Sequence, residues 1–195
     1  MKILIISDIH ENFDNLYAIL QQIPELWVER IICLWDLINA WIWKMLAGQD
    51  IPTHLIWWNN DGNKTWVMKA FYAVNNGSTI ANDEFDTLEI DDKKIFLTHY
   101  PKIWLAAAKS WDYDAVFFWH NHEYNKEKLN HTLFLNPWEV SAHKTGMCSF
   151  AVYDTSTNEA EIKCIDNPKI VLSDETRKYI KSLGFKFSQS KTHTF

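Results

Sequence analysis

The chain has 195 residues, 47% of them hydrophobic and 23% charged, which is typical of a soluble globular protein with one domain. The net charge of −6, without a block of basic residues, argues against a long electrostatic contact with nucleic acid, and no apolar run is long enough for a membrane span. The odd count of three cysteines, with no CxxC spacing, favours a reduced, cytoplasmic setting with buried thiols.

Strands and helices alternate over the first 75 residues. Short branched apolar runs predict strands, and apolar residues at helical spacing predict the helices between them. The predicted strands cover 2–7, 30–35 and 53–58, and the predicted helices cover 12–23, 38–47 and 63–75. This alternation indicates parallel βαβ units.

From residue 84 onward the predicted strands form three pairs, and the strand at 114–119 lies outside them. Asp91 and Asp92 are expected to form the turn of the first hairpin, and Ser173 is expected to cap a final helix that Gly184 ends. The predicted strands cover 84–91, 93–100, 114–119, 124–128, 132–136, 148–154 and 159–165, and the predicted helices cover 102–110 and 174–183. We predict a single domain over 1–195, with 166–195 as a C-terminal helical extension and an exposed tail.

Polar side chains follow five of the predicted strands at the point where each strand ends. They are Asp8, His10, Asp36, Asn59, Asn60, His99, His120 and His122. In an open α/β sheet, sites form outside the carboxyl ends of strands, and residues two apart on an extended chain point the same way. Imidazole and carboxylate ligands suit divalent Mn, Fe, Ni or Zn. The candidates are too many for one tetrahedral ion and fit two ions that share a carboxylate.

Each of these pieces also has an ordinary explanation when it is taken alone. Asp36 could cap the following helix, His99 could be a loop histidine, and an HxH pair arises by chance. We interpret the other histidines as ordinary loop residues; they are His54, His131, His143 and His193. The metal interpretation is favoured because the candidates close five different apolar strands.

The ordered set resembles the signature of the calcineurin-like metallophosphoesterases, particularly their small bacterial and archaeal phosphodiesterases. That signature consists of DxH, GD, GN, a lone H and GHxH. The corresponding segments here are DIH at 8–10, WD at 35–36, WNND at 58–61, TH at 98–99 and WHNH at 119–122. The segment LFLNPW at 133–138 is similar to the family's NPG segment, so the likeness extends from residue 1 to about 165.

The resemblance implies an α/β fold: a four-layer αββα sandwich of two mixed β-sheets flanked by helices, with two divalent metal ions. Manganese is the expected metal, with Fe, Ni or Zn as alternatives. One ion would be held by Asp8, His10, Asp36 and His122, and the other by Asp36, Asn59, His99 and His120. The catalytic residues implied are Asp36, Asn60 and His99.

The implied activity is a metal-dependent phosphodiesterase in which a metal-bridging hydroxide attacks a small phosphodiester or nucleotide-like substrate. Many relatives carry a histidine after the ligand asparagine as a proton donor; Asn60 occupies that position here and cannot donate a proton in that way. Leaving groups that need little protonation are therefore favoured. The alternatives are a catalytically weak or inactive protein-binding scaffold of the same fold and a nucleotide phosphohydrolase. The substrate and the oligomeric state are left open.

The chain is rich in tryptophan and poor in glycine. Tryptophan occurs 11 times and glycine 5 times, although a typical share of 7% gives roughly 14 glycines in a chain of this length. Four tryptophans occupy glycine positions of the family motifs, namely Trp35, Trp58, Trp119 and Trp138. Six more occupy places where a turn or helix end would favour glycine: Trp27, Trp41, Trp43, Trp66, Trp104 and Trp111. We hypothesise that glycine has been replaced by tryptophan at these positions, with a loss of stability and activity. The alternative is an aromatic surface for stacking bases.

Overall fold

The computed structural model describes residues 1–34, 40–57, 64–98, 100–119, 124–166, 168 and 172–184. In this part of the chain the strands form two mixed sheets, one with the order β11-β10-β1-β2-β3-β4 and one with the order β5-β6-β7-β9-β8. The strands are β1 Lys2–Ile6, β2 Arg30–Cys33, β3 Thr53–Leu55, β4 Thr79–Ile80, β5 Phe85–Ile90, β6 Lys93–Thr98, β7 Ala115–Phe118, β8 Asn125–Leu129, β9 Thr132–Asn136, β10 Cys148–Asp154 and β11 Glu159–Ile165.

Helices cover the outer faces of both sheets. They are α1 Phe13–Leu20, α2 Ile23–Leu26, α3 Ala40–Ala47, α4 Lys64–Tyr72, α5 Pro101–Lys109 and α6 Asp174–Ser182. Three buried apolar clusters separate the layers. The first lies between the six-stranded sheet and α1, α3, α4 and α6, the second between the two sheets, and the third between the five-stranded sheet and α5. The predicted four-layer αββα sandwich is therefore confirmed.

The strand β1 shows why the sequence forms buried strands. Leu4 and Ile6 face the helix layer, whereas Ile3 and Ile5 face the second sheet, and all four side chains are fully buried. A strand buried on both faces reads as a continuous apolar run. The parallel pairing of β1 with β2 and of β2 with β3 also agrees with the predicted βαβ units.

Most predicted elements are present, with two local differences. The helix predicted over 12–23 is divided into α1 and α2, because Pro24 lies in the first turn of α2 and cannot continue α1. The short strand β4 was not predicted, since a strand of two half-exposed or exposed residues carries no periodicity. The tail over 185–195 lies outside the described residues.

Two sequence interpretations need correction. Cys33 and Cys148 are buried as expected, but Cys164 is exposed on the edge strand β11. His54 is a buried residue of β3 and not a loop histidine.

Four tryptophans that we expected at turns or helix ends lie inside helices instead. Trp41 and Trp43 belong to α3, Trp66 to α4 and Trp104 to α5. Trp43 packs edge-on against Phe71, with ring centroids 4.8 Å apart. Trp41, Trp43 and Trp104 pack against the apolar clusters under α3 and α5, whereas Trp66 is 65% exposed on α4.

Candidate metal centre

The carboxyl ends of the two sheets meet at one end of the sandwich. The loop after β9 crosses to the end of β1, where the Ser7 hydroxyl donates to the carbonyl oxygen of Trp138. The backbone N–H groups of Val140 and Ser141 donate to the carbonyl oxygens of Ser7 and Asp8, at 3.0 Å in both cases. Since β9 belongs to one sheet and β1 to the other, these bonds fix the two carboxyl ends side by side.

Asp8 and His10 follow β1 at this junction. The Asp8 side chain is buried, and its Oδ1 lies 3.8 Å from Nε2 of the partly exposed His10. Asp8, His10 and Glu11 have φ angles of 50°, 43° and 57°, which place three of four consecutive residues in the left-handed region. Such conformations cost energy and cluster at functional sites. The backbone here is therefore bent in a way that directs a carboxylate and an imidazole to one locus.

The other predicted ligands follow strands that end at the same junction. β2 and β3 are parallel to β1, and β6 and β7 are parallel to β9, so their carboxyl ends lie on this side of the sandwich. The predicted residues themselves lie outside the described part of the chain: Asp36, Asn59, Asn60, His99, His120 and His122. The topology thus agrees with the predicted convergence, and the ligand set stays a prediction.

The described donors fit a divalent metal ion. A buried carboxylate is stable only when it is paired, hydrogen-bonded or bound to a metal, and imidazole is a common metal ligand. Asp8 and His10 supply these two donor types from the segment that follows β1. Among the described residues no group of three or more His, Cys, Asp or Glu side chains surrounds a common point. The pair is therefore the described portion of a larger predicted centre.

Trp119 lies directly before the predicted ligand His120. Its indole is buried in the cluster between the two sheets, with a relative exposure of 1%. The aromatic ring therefore fills the inter-sheet core at the end of β7.

Sequence reasoning missed one residue beside this centre. His143, which we took for an ordinary loop histidine, stacks on His10 with ring centroids 6.1 Å apart and an interplanar angle of 28°. No local pattern marks His143, because its position depends on how the loop after β9 docks on β1. The exposed His131 lies at the β8–β9 turn, at the opposite end of β9, as an ordinary loop residue would.

Comparison with known proteins assigns the two-sheet sandwich to a family. Residues 1–158 match the calcineurin-like phosphoesterase superfamily domain. The chain is 30% identical over 161 residues to phosphodiesterase MJ0936 of Methanocaldococcus jannaschii. This alignment covers 82% of this chain and 96% of that protein. The chain therefore belongs to the calcineurin-like phosphoesterase superfamily.

Solved structures agree with this assignment. The structure of an archaeal phosphodiesterase superposes with a TM-score of 0.79 at 29% identity and covers 85% of this chain and 100% of its own. The zinc complex of Vps29 from Entamoeba histolytica shares the fold at 16% identity, with a TM-score of 0.59 and coverage of 85% and 97%. The phosphoesterase YfcE of E. coli also shares the fold, with a TM-score of 0.58, 16% identity and coverage of 85% and 100%.

Proposed function

We propose that the chain is a metal-dependent phosphodiesterase that acts on a small phosphodiester or nucleotide-like substrate. The observation that carries the proposal is the Asp8–His10 pair at the junction of the two sheets, in a chain of the calcineurin-like phosphoesterase superfamily. The similarity to an archaeal phosphodiesterase over most of both chains supports the same activity.

The proposed ligands divide into two sets that share Asp36. Asp8, His10, Asp36 and His122 form one set, and Asp36, Asn59, His99 and His120 form the other. When bound, two divalent cations would supply an activated water and neutralise the charge that develops on the phosphoryl group. Manganese is the proposed metal, with Fe, Ni and Zn as alternatives. Asn60 is proposed to hydrogen-bond a phosphoryl oxygen.

Charge favours an anionic substrate at this place. Two divalent ions bring four positive charges, and Asp8 and Asp36 offset two of them, so the loaded centre attracts a phosphate ester within a protein of net charge −6. A long nucleic acid would meet that negative surface without a basic groove, which favours a small substrate.

The test combines metal analysis with hydrolysis of bis(4-nitrophenyl) phosphate, with and without added manganese. We expect metal-dependent turnover, and we expect Asp8→Ala and His122→Ala each to lower it at least roughly 100-fold, because losing even a residue that only supports a ligand costs about 10–100-fold. His131→Ala is the matched control and should retain activity.

Two results would redirect the assignment. A purified protein that takes up no metal and hydrolyses no ester would favour the protein-binding scaffold. Faster turnover of nucleoside monophosphates than of the diester would favour the nucleotide phosphohydrolase.

The proposed location is the cytoplasm. All three cysteines are free thiols, which suits a reducing compartment. No helix in the described part of the chain is long and apolar enough to cross a bilayer.

A further inference from the structure

The loop after β9 is a built structure that holds His143 beside the candidate centre. Glu139 is fully buried, and its carboxylate accepts hydrogen bonds from the backbone N–H groups of Lys144 and Thr145 at 3.1 and 2.8 Å. The same carboxylate accepts from the hydroxyls of Ser141 and Thr145 at 3.0 and 2.7 Å. A buried carboxylate with four donors fixes the loop around it, because breaking such a network leaves a buried charge uncompensated.

The loop is also fixed to the segment that carries Asp8 and His10. The Ser141 N–H donates to the Asp8 carbonyl at 3.0 Å, and the Asn12 side chain donates to the Ser141 carbonyl at 2.9 Å. Ala142 turns the chain with a φ of 58° immediately before His143. The residues before and after His143 are therefore both held in place, and the exposed His143 ring stacks on His10.

We propose that His143 binds the phosphate of the substrate through a ring N–H group. This inference rests on the proposed function. A phosphate bound at the centre that His10 serves would have the neighbouring imidazole as a donor, and charged phosphate oxygens are strong acceptors.

The test measures the affinity of the manganese-loaded protein for inorganic phosphate by calorimetry, together with KM and kcat for bis(4-nitrophenyl) phosphate. The variants are His143→Ala, His143→Gln and the control His131→Ala. A hydrogen bond to a charged group leads us to expect roughly tenfold or greater weakening of phosphate binding in His143→Ala. His143→Gln, which keeps an N–H donor, should recover most of the affinity, and KM should rise more than kcat falls.

The outcomes separate this inference from the proposed function. Phosphate affinity in His143→Ala equal to that of the wild type and His131→Ala would overturn the role of His143 while leaving the phosphodiesterase intact. Loss of bound manganese in His143→Ala would also overturn it, because His143 would then serve the metal. A wild-type protein that binds neither manganese nor phosphate would contradict both proposals.

A second inference comes from the backbone of three tryptophans. Trp27, Trp111 and Trp138 have φ angles of 56°, 66° and 76°, in the left-handed region that glycine enters freely. Trp27 ends α2 at its left-handed cap, a position commonly filled by glycine, and its side chain is 78% exposed. Trp138 lies in the segment similar to the family's NPG motif. A bulky residue in this region is a true outlier, so the fold provides these places for glycine.

The buried Trp43 carries a different signature. The Trp43 indole N–H is buried and has no hydrogen-bond acceptor among the described residues. Buried tryptophan usually finds a partner for this group. Trp57 replaces no glycine of the family motifs. The Lys64 ammonium lies over its ring, with Nζ 5.3 Å from the ring centroid.

We infer that the functional protein carries glycine at the tryptophan positions other than Trp57, because one codon is read as glycine in the source cell and as tryptophan in this chain. Such a codon would place tryptophan instead of glycine wherever it occurs in the gene. Glycines encoded by other codons would stay glycine. Independent mutations would not repeat a single exchange across helices, turns and motifs. The 5 remaining glycines are consistent with glycine codons that keep one meaning.

Two measurements test this inference. Peptide sequencing of the protein isolated from its source cell should show glycine at 27, 111 and 138, and tryptophan there would overturn the codon explanation. In this chain, Trp27→Gly, Trp111→Gly and Trp138→Gly should each raise the folding equilibrium constant roughly 5- to 30-fold, because each relieves a left-handed side chain. Trp57→Gly is the control and should lower it. No gain from any of the three would contradict the backbone argument.

Discussion

Burial divides the three cysteines into two kinds of thiol. Cys33 and Cys148 are fully buried, whereas Cys164 is exposed on the edge strand β11. Burial raises the pKa of the Cys148 thiol to about 12, with smaller contributions from Cys164 and Glu139. Because the thiolate is the reactive form, a thiol that stays protonated in the folded protein is inert near neutral pH.

We therefore predict selective alkylation of the native protein by iodoacetamide at mildly alkaline pH. Cys164 should be labelled first, and Cys148 should react only after the protein is unfolded, as mass spectrometry of tryptic peptides would show. Cys164→Ser should remove the fast label and leave the slow one. Labelling of native Cys148 at the rate of Cys164 would show that the helix layer does not seal β10.

Individual residues also show how far local patterns reach. The Ser173 cap and the Asp91–Asp92 turn were predicted correctly, because both depend on a few neighbouring residues. Ser173 accepts from the Thr176 N–H, and the two aspartates adopt φ angles of 48° and 61°. His143 could not be predicted, since its place beside His10 follows from hydrogen bonds between segments more than 100 residues apart in the sequence.

At the scale of elements, α6 is attached to α1 through one buried carboxylate. Asp14 accepts hydrogen bonds from the Ser173 N–H and hydroxyl, at 2.9 and 2.8 Å, and from the Thr176 hydroxyl. Ile180 adds a fully buried side chain to the cluster above the six-stranded sheet. The Asp14 carboxylate therefore connects the start of α6 to the helix layer. The sequence predicted this segment only as a C-terminal helical extension.

We predict that Asp14→Ala lowers the free energy of unfolding by at least about 1.5–3 kcal/mol, the value of one hydrogen bond to a charged group. Urea denaturation followed by far-UV circular dichroism would measure the change. Asp50→Ala, at an exposed aspartate after α3, is the control and should change stability by less than about 0.5 kcal/mol. An equal effect of the two substitutions would mean that the Asp14 contacts do not stabilise α6.

The elements themselves were mostly predictable, whereas the candidate centre beyond Asp8 and His10 stays a prediction. Apolar periodicity located the long strands and helices, because each of them buries at least one face. It missed β4, which buries little. The end of β1 and the loop after β9 are adjacent because this loop crosses from one sheet to the other. Hydrophobic periodicity and motif spacing do not predict such a crossing.

At the scale of the whole molecule, a buried histidine connects the two sheets at one edge. His54 lies in β3 of the six-stranded sheet, and its Nε2 is 3.2 Å from Oδ2 of Asp86 in β5 of the other sheet. The Nδ1 atom lies 2.8 Å from the Thr79 hydroxyl of β4, which fixes the ring. The polar contact with His54 lowers the pKa of Asp86 from its ordinary 3.8, against the opposing effect of partial burial.

The sign of this shift predicts how acid acts on the sandwich. A carboxyl whose pKa is lower in the folded state stabilises the fold above its unfolded pKa, and this contribution disappears as pH falls through the folded value. We expect less than about 1 kcal/mol, because solvent screens a side chain that is one third exposed. Asp86→Asn should therefore be less stable than the wild type at neutral pH, and the difference should shrink as the pH falls below 3.8, the ordinary aspartate pKa. Urea denaturation across this range tests it, with the exposed Asp112→Asn as control. If the stability difference between Asp86→Asn and the wild type stays constant with pH, the charge of Asp86 does not contribute to the stability of the contact with His54.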